Sequence, residues 1–186
     1  MQIQVDLVPP EDRKTKPDDV LNVAFGTVFS DHMFSAEYDA GVWTNARIHK
    51  YQPLQLDPAA LCLHYGQAIF EGMKAYRRDN RVFLFRPLDN MRRMNQSASR
   101  MVMPQIDVQF ALDSLKQLID IERDWVPRLK GSSLYIRPTM IATEPKLGVK
   151  PSDRFLYYVI LQPAPATQPG CPPSGSCLSS DVWSGS

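Results

Sequence analysis

Residues 63–104 constrain the fold more than any other stretch, because they ask for a hairpin, a helix entry and a buried helical face in quick succession. Leu63-His64-Tyr65-Gly66 and Phe70-Glu71-Gly72 set aromatic side chains beside glycines. Residues 72–77 and 81–85 read as two strands joined around Arg78-Asp79-Asn80, which has hairpin-turn chemistry. Pro87 suits the first position of a helix. Leu88, Met91, Met94, Ala98 and Met101 then recur at three and four residues, on one helical face. Arg92, Arg93, Gln96 and Arg100 flank that stripe, and Pro104 ends it. Asp107 is placed to cap a second helix, whose stripe is Val108, Ala111, Leu112, Leu115, Leu118 and Ile119. Trp125-Val126-Pro127 closes it.

Two amphipathic helices need an apolar layer to lie on, and the segments around them supply strands. Residues 23–29 and 33–38 predict short strands with Ser30-Asp31-His32 as the turn, and residues 46–56 predict a third. Residues 133–143 alternate as a strand does, and residues 154–161 form a near-continuous apolar run, the pattern of a strand buried on both faces. The expected fold is α+β, a mainly antiparallel sheet with two helices packed on it. Residues 1–21, polar and interrupted by Pro9, Pro10 and Pro17, predict an extended arm; residues 22–162 form the domain. Residues 163–186 are rich in proline, serine and glycine, cannot offset their ordering entropy by apolar burial, and predict a disordered tail.

A chain of 186 residues is long enough for one well-filled core. Its net charge of +1 gives no reason to expect nucleic acid or an anionic membrane as partner. The run from Phe155 to Leu161 is too short to span a bilayer. Asp6, Glu11, Asp12, Asp18 and Asp19 are unlike a mitochondrial transit peptide, so a cytoplasmic location is expected. Cys62, Cys171 and Cys177 lack zinc spacing, and His32, His49 and His64 lie far apart, so no metal site is expected.

Tyr135 and Arg137, two apart on a strand, leave the sheet on one face, while Leu134, Ile136 and Met140 leave on the other. A guanidinium and a phenol projecting together can receive a carboxylate. Spacing alone favours a surface arginine packed over a tyrosine. Arg92 and Arg93 read by themselves as solvated helix residues, and Tyr65 and Phe70 as core packing.

Several motifs in one order change that balance. The stretch around Leu63-His64-Tyr65-Gly66 and Phe70-Glu71-Gly72, Met91-Arg92-Arg93-Met94, Ser133-Leu134-Tyr135-Ile136-Arg137-Pro138 and Glu144-Pro145-Lys146-Leu147-Gly148-Val149 resemble the N-terminal part of the branched-chain aminotransferases. These are pyridoxal-phosphate enzymes of class IV, fold type IV. Phe25-Gly26-Thr27, Asp31-His32-Met33 and Trp125-Val126-Pro127 are similar to the eukaryotic members in particular.

The resemblance implies the small domain of a fold type IV aminotransferase, acting as a homodimer on branched-chain amino acids and 2-oxo acids. The implied reaction moves the amino group of leucine, isoleucine or valine to 2-oxoglutarate through pyridoxal phosphate. It places Arg93 at the cofactor phosphate, Tyr135 and Arg137 near the substrate carboxylate, and Tyr65 and Phe70 along the apolar substrate pocket. Leu147 and Val149 fall in the loop that shapes the partner subunit's pocket. The family's catalytic lysine belongs to a second, large domain, so no lysine of this chain is assigned that role. The alternative is a truncated isoform without catalysis of its own, binding or modulating full-length subunits. Family members also occur in mitochondria.

Overall fold

A computed structural model describes residues 1–17, 20, 23–165 and 182–185. The chain begins with β1 (Gln4–Val5) and a short 3-10 turn at Pro10–Asp12, followed by the hairpin of β2 (His32–Asp39) and β3 (Val42–Lys50). A short helix, α1 (Leu61–Tyr65), precedes β4 (Ala68–Phe70), β5 (Met73–Arg78) and β6 (Arg81–Phe85). Helices α2 (Pro87–Arg100) and α3 (Val108–Ile121) come next, then β7 (Ser133–Ala142), β8 (Phe155–Ala164) and β9 (Val182–Gly185). The strands form one sheet in the order β1-β3-β2-β8-β7-β5-β6-β9, with β4 also paired to β7. Every pairing is antiparallel except β1 with β3. The expected α+β architecture is what forms.

Both long helices follow their stripes. Met91, Met94 and Ala98 of α2 and Ala111, Leu112, Leu115, Leu118 and Ile119 of α3 are buried. All of these but Leu112 join one core with Phe34, Ile48, Leu134, Ile136, Met140, Tyr157 and Val159 from the sheet. Pro87 occupies the start of α2, and the Asp107 side chain accepts from the Phe110 N–H at 2.7 Å. Met101 lies past the end of α2 and is exposed. Val102 turns the chain at φ 53°, and the Met103 N–H returns to the Ala98 carbonyl, so α2 ends before Pro104 is reached.

The sheet corrects several strand expectations. Residues 23–29 form no strand; they bend through Gly26 at φ 85°, a backbone conformation suited to glycine. Ala40 and Gly41, both at positive φ, make the turn of the β2–β3 hairpin, so the third predicted strand begins at Val42 and stops at Lys50 rather than running to residue 56. β8 alternates instead of burying both faces: Phe155, Tyr157, Val159 and Leu161 are buried, while Leu156, Tyr158 and Ile160 are half-buried. It also continues to Ala164, beyond the predicted domain end. Val182–Gly185, within the segment expected to be disordered, pair with β6; residues 166–181 and 186 of that segment lie outside the described residues.

The arm at the N-terminus is tied into the domain by a buried polar cluster. The Val8 N–H donates to His32 Nε2 at 2.8 Å, so the proton of this imidazole sits on Nδ1, which meets the Glu122 carboxylate. Glu122 also accepts from the backbone N–H groups of His32 and Asp31. Asp31 in turn accepts from the Lys14 N–H at 2.7 Å and from Trp125 Nε1 at 2.8 Å. No helix among the described residues is long and apolar enough to cross a membrane.

Candidate active site

Opposite the helices, the sheet presents polar and aromatic side chains. On β7, Leu134, Ile136 and Met140 are buried in the core, and Tyr135, Arg137 and Thr139 face the other way, half-buried. Arg137 Nη2 donates to Tyr135 Oη at 2.8 Å. That bond uses a lone pair of the phenol and leaves its own proton free to donate.

Three consecutive residues, Phe70-Glu71-Gly72, organise what lies around this pair. They join β4 to β5, both of which run alongside β7. The ladder lapses opposite Pro138, which has no N–H to offer, although the Glu71 N–H still reaches the Pro138 carbonyl at 2.9 Å. The Phe70 ring lies under the Arg137 guanidinium, 4.4 Å from its centroid, a cation–π contact that holds the fork flat. At Gly72 a Cβ would come within 2.4 Å of Tyr135 Oη, so the absent side chain makes the room the phenol occupies. Glu71 turns toward α2.

There Glu71 receives Arg93 Nε and Nη2, both at 2.6 Å, and Asn90 Nδ2 at 3.2 Å. Burial raises the carboxyl pKa, but the hydrogen bonds from Arg93 and Asn90 and the charge of Arg93 outweigh it, and Glu71 ionises below the usual range. The Glu71 carboxylate likewise pushes Arg93 up. Arg93 therefore stays a fixed cation with 60% of its side chain in solvent. A guanidinium has five N–H groups; Glu71 takes two of these positions and the outward side keeps the rest. This is a donor set suited to a phosphate, held in place by a buried carboxylate. The neighbouring Arg92 instead reaches Asp89 at 3.3 Å on the exposed helix surface.

Tyr65 and Leu147 are also brought together, though 82 residues apart: the phenol donates to the Leu147 carbonyl at 2.7 Å. Tyr65, Leu147 and Val149 all remain exposed, Val149 by 90%. The residues expected at the site thus fall into three sets: Phe70 with Tyr135 and Arg137, Arg93 on its carboxylate, and Tyr65 with the 147–149 loop.

Residues that sequence reasoning does not single out complete the first set. Phe25 meets Tyr135 edge-on, with centroids 5.1 Å apart at 77°. Phe25, Phe29, Tyr135, Arg137, Ile160 and Gln162 line a pocket of about 170 Å³. Arg137 Nε is buried without a hydrogen-bond partner. Phe25 falls in a segment expected to be a strand, and Glu71 reads as a spacer between Phe70 and Gly72; the glycine that makes room for the Tyr135 hydroxyl is the one local sign.

The branched-chain amino acid aminotransferases of Escherichia coli and Thermoproteus uzoniensis, 22% and 20% identical to this chain, share its fold with TM-scores of 0.51 each. The matches cover 73% and 72% of this chain and 40% and 41% of those chains. A third such enzyme, from T.th., has a TM-score of 0.52 at 22% identity over 68% of this chain and 40% of its own; it was solved in complex with N-(5'-phosphopyridoxyl)-L-glutamate. The chain thus shares the α+β fold of the matched part of these enzymes.

Closer similarity comes from sequence. The chain is 51% identical over 152 residues to branched-chain-amino-acid transaminase 1 of Bacillus subtilis, and 50% identical over 157 residues to a probable branched-chain-amino-acid aminotransferase of Staphylococcus epidermidis. These alignments cover 81% and 84% of this chain but 42% and 44% of the relatives, so the chain spans about two fifths of the length of the relatives it matches. No family model matches. Over that length the sequence is similar to part of these branched-chain aminotransferases.

Proposed function

We propose that this domain forms the substrate-side wall of a branched-chain aminotransferase active site, which moves the amino group of leucine, isoleucine or valine to 2-oxoglutarate. The observation that carries the reading is the buried, unpartnered Nε of Arg137 beside a phenol whose proton is free. Arg137 and Tyr135 bind the substrate carboxylate. Phe70 fixes the guanidinium plane and, with Tyr65, offers apolar walls to the side chain of the substrate, each buried methylene being worth about 0.8 kcal/mol. Arg93, oriented by Glu71, takes part of the cofactor phosphate. Pyridoxal phosphate, when bound, supplies the electron sink that lets the Cα–H bond of the amino acid break. Leu147 and Val149 reach the pocket of the partner subunit in a homodimer.

The reading assigns the catalytic role to none of the eight lysines of this chain. Lys74, opposite Tyr135 in the sheet, is the one to challenge it. Titration of the chain with 4-methyl-2-oxopentanoate should give saturable binding that Arg137→Ala weakens at least about tenfold, the loss of a charge-assisted bond. Equal binding by the variant sinks the carboxylate site. With pyridoxal phosphate, leucine and 2-oxoglutarate added to these 186 residues alone, no turnover is expected. Borohydride trapping of the cofactor on Lys74 would overturn the lysine assignment.

The exposed apolar side chains of Leu63, Leu147 and Val149 favour a second reading, a form that docks on full-length subunits and modulates them. Lowered turnover of a full-length relative on addition of this chain would support it, and unchanged turnover would remove it.

A further inference from the structure

Gln162 lines the same pocket as Arg137 and is used by nothing described so far. Its position on β8 is opposite Tyr135, as Ile160 is opposite Arg137, so the amide belongs to the patch of sheet that carries the carboxylate donors. The residue is only 5% exposed, and its Oε1 is buried without a hydrogen-bond partner. A buried amide oxygen left unpaired costs free energy. Arg137, which lines the same pocket, likewise has a buried Nε without a hydrogen-bond partner. One is a donor and one an acceptor. The pocket is also lined by Phe25, Phe29 and Ile160, whose side chains can satisfy neither.

A ligand that settles both atoms must bring an anion for the guanidinium and an N–H donor for the amide oxygen. An α-amino acid carries both on adjacent atoms. A 2-oxo acid carries the anion, but presents a carbonyl oxygen where the ammonium stood, and two acceptors facing one another across a dry gap repel. We propose that Gln162 is a specificity residue that separates the amino acid from the corresponding oxo acid: Arg137 and Tyr135 hold the carboxylate common to both, and Gln162 Oε1 takes an N–H of the ammonium. This rests on the carboxylate reading of Arg137 given above.

The test compares two ligands on the 186-residue chain. Dissociation constants for L-leucine and 4-methyl-2-oxopentanoate are measured by calorimetry for the unaltered protein, Gln162→Met and Gln162→Glu. Methionine keeps the length of the side chain and removes both amide groups; glutamate restores an acceptor. Gln162→Met should weaken leucine about tenfold, the loss of one hydrogen bond to a charged group, and leave the oxo acid within about twofold. Gln162→Glu should recover leucine and weaken the oxo acid. Equal weakening of both ligands by Gln162→Met would reduce Gln162 to a packing role and overturn the proposal. So would selective loss of the oxo acid, which would mean that the amide offers its N–H instead. Binding of neither ligand by the unaltered protein would overturn the carboxylate site itself, and Gln162 with it.

Discussion

Two glutamates in this domain each anchor a hydrogen-bonded cluster, one turned inward and one facing outward. Glu122, 2% exposed, is enclosed by the His32 ring and the backbone N–H groups of Asp31 and His32. Every group in that cluster is turned inward, and its product is the docking of Val8 and Lys14 onto the sheet. Glu71 is nearly as buried, at 7% exposed, but its partner Arg93 is mostly in solvent. The two oxygens of Glu71 aim a cation outward. Burial dominates for Glu122 and pushes its carboxyl pKa up, with the His32 contacts opposing. For Glu71 the hydrogen bonds from Arg93 and Asn90 and the Arg93 charge overcome burial and hold it down. A carboxylate inside a closed cluster holds the arm in place; one that orients an exposed guanidinium leaves donors facing solvent.

The largest effect expected from breaking this contrast is at the closed cluster. Glu122→Ala strands His32 Nδ1–H and two backbone N–H groups, and at about 1–3 kcal/mol for each buried donor left unpaired it should give the largest loss in urea unfolding. Protease sensitivity around residues 8–14 should rise with it. A loss below about 1 kcal/mol would show that the cluster does not hold the arm.

Next comes Gly72→Ala. Its Cβ would stand 2.4 Å from Tyr135 Oη, so either the phenol or β5 must shift, with a cost of roughly 1–3 kcal/mol. Binding of 4-methyl-2-oxopentanoate should weaken together with stability. Full ligand affinity in this variant would show that the hydroxyl position is not needed.

The two carboxyls also predict opposite pH dependences. Glu122, raised in the folded state, contributes stability that is present below the ordinary glutamate pKa of about 4.3 and is lost as pH rises through its folded value. Glu71, lowered in the folded state, contributes stability that is present above that ordinary value and is lost as pH falls through its depressed one. Urea midpoints measured across the acid range should therefore lose part of their decline on the rising side in Glu122→Gln, and part of their acid-side fall in Glu71→Gln. Parallel profiles for the two variants would contradict the contrast.

The smallest effect is on stability in Glu71→Gln at neutral pH. The ion pair reaches mostly solvated Arg93, and exposed pairs are worth about 0–1 kcal/mol. The same substitution frees Arg93, so phosphate or cofactor affinity should fall more than stability does. A change in stability with none in phosphate affinity would place Glu71 with Glu122 after all.

Much of this is legible in the chain because it depends on local periodicity. The stripes of α2 and α3, the Pro87 entry and the Asp107 cap are properties of neighbouring residues, and they appear where the pattern puts them. The alternation of β7 likewise tells which face carries Tyr135 and Arg137. Where local signals compete, sequence and structure part. Residues 23–29 have strand-like composition, yet they bend and lay Phe25 against Tyr135, because packing on a preformed sheet outweighs a weak propensity.

What tertiary structure alone decided are the long-range meetings. Nothing near Glu71 in sequence announces Arg93 as its partner, 22 residues away; only the crossing of α2 past the β4–β5 break brings them together. Glu122 and His32 are 90 residues apart, and Gln162, at the edge of a proline-rich run, comes to line a pocket with Arg137 only because β8 lies beside β7. Side-chain periodicity is written residue by residue, so the sequence determined the elements and their faces. Partnerships between elements depend on register and packing, and these exist only once the sheet has closed on its helices.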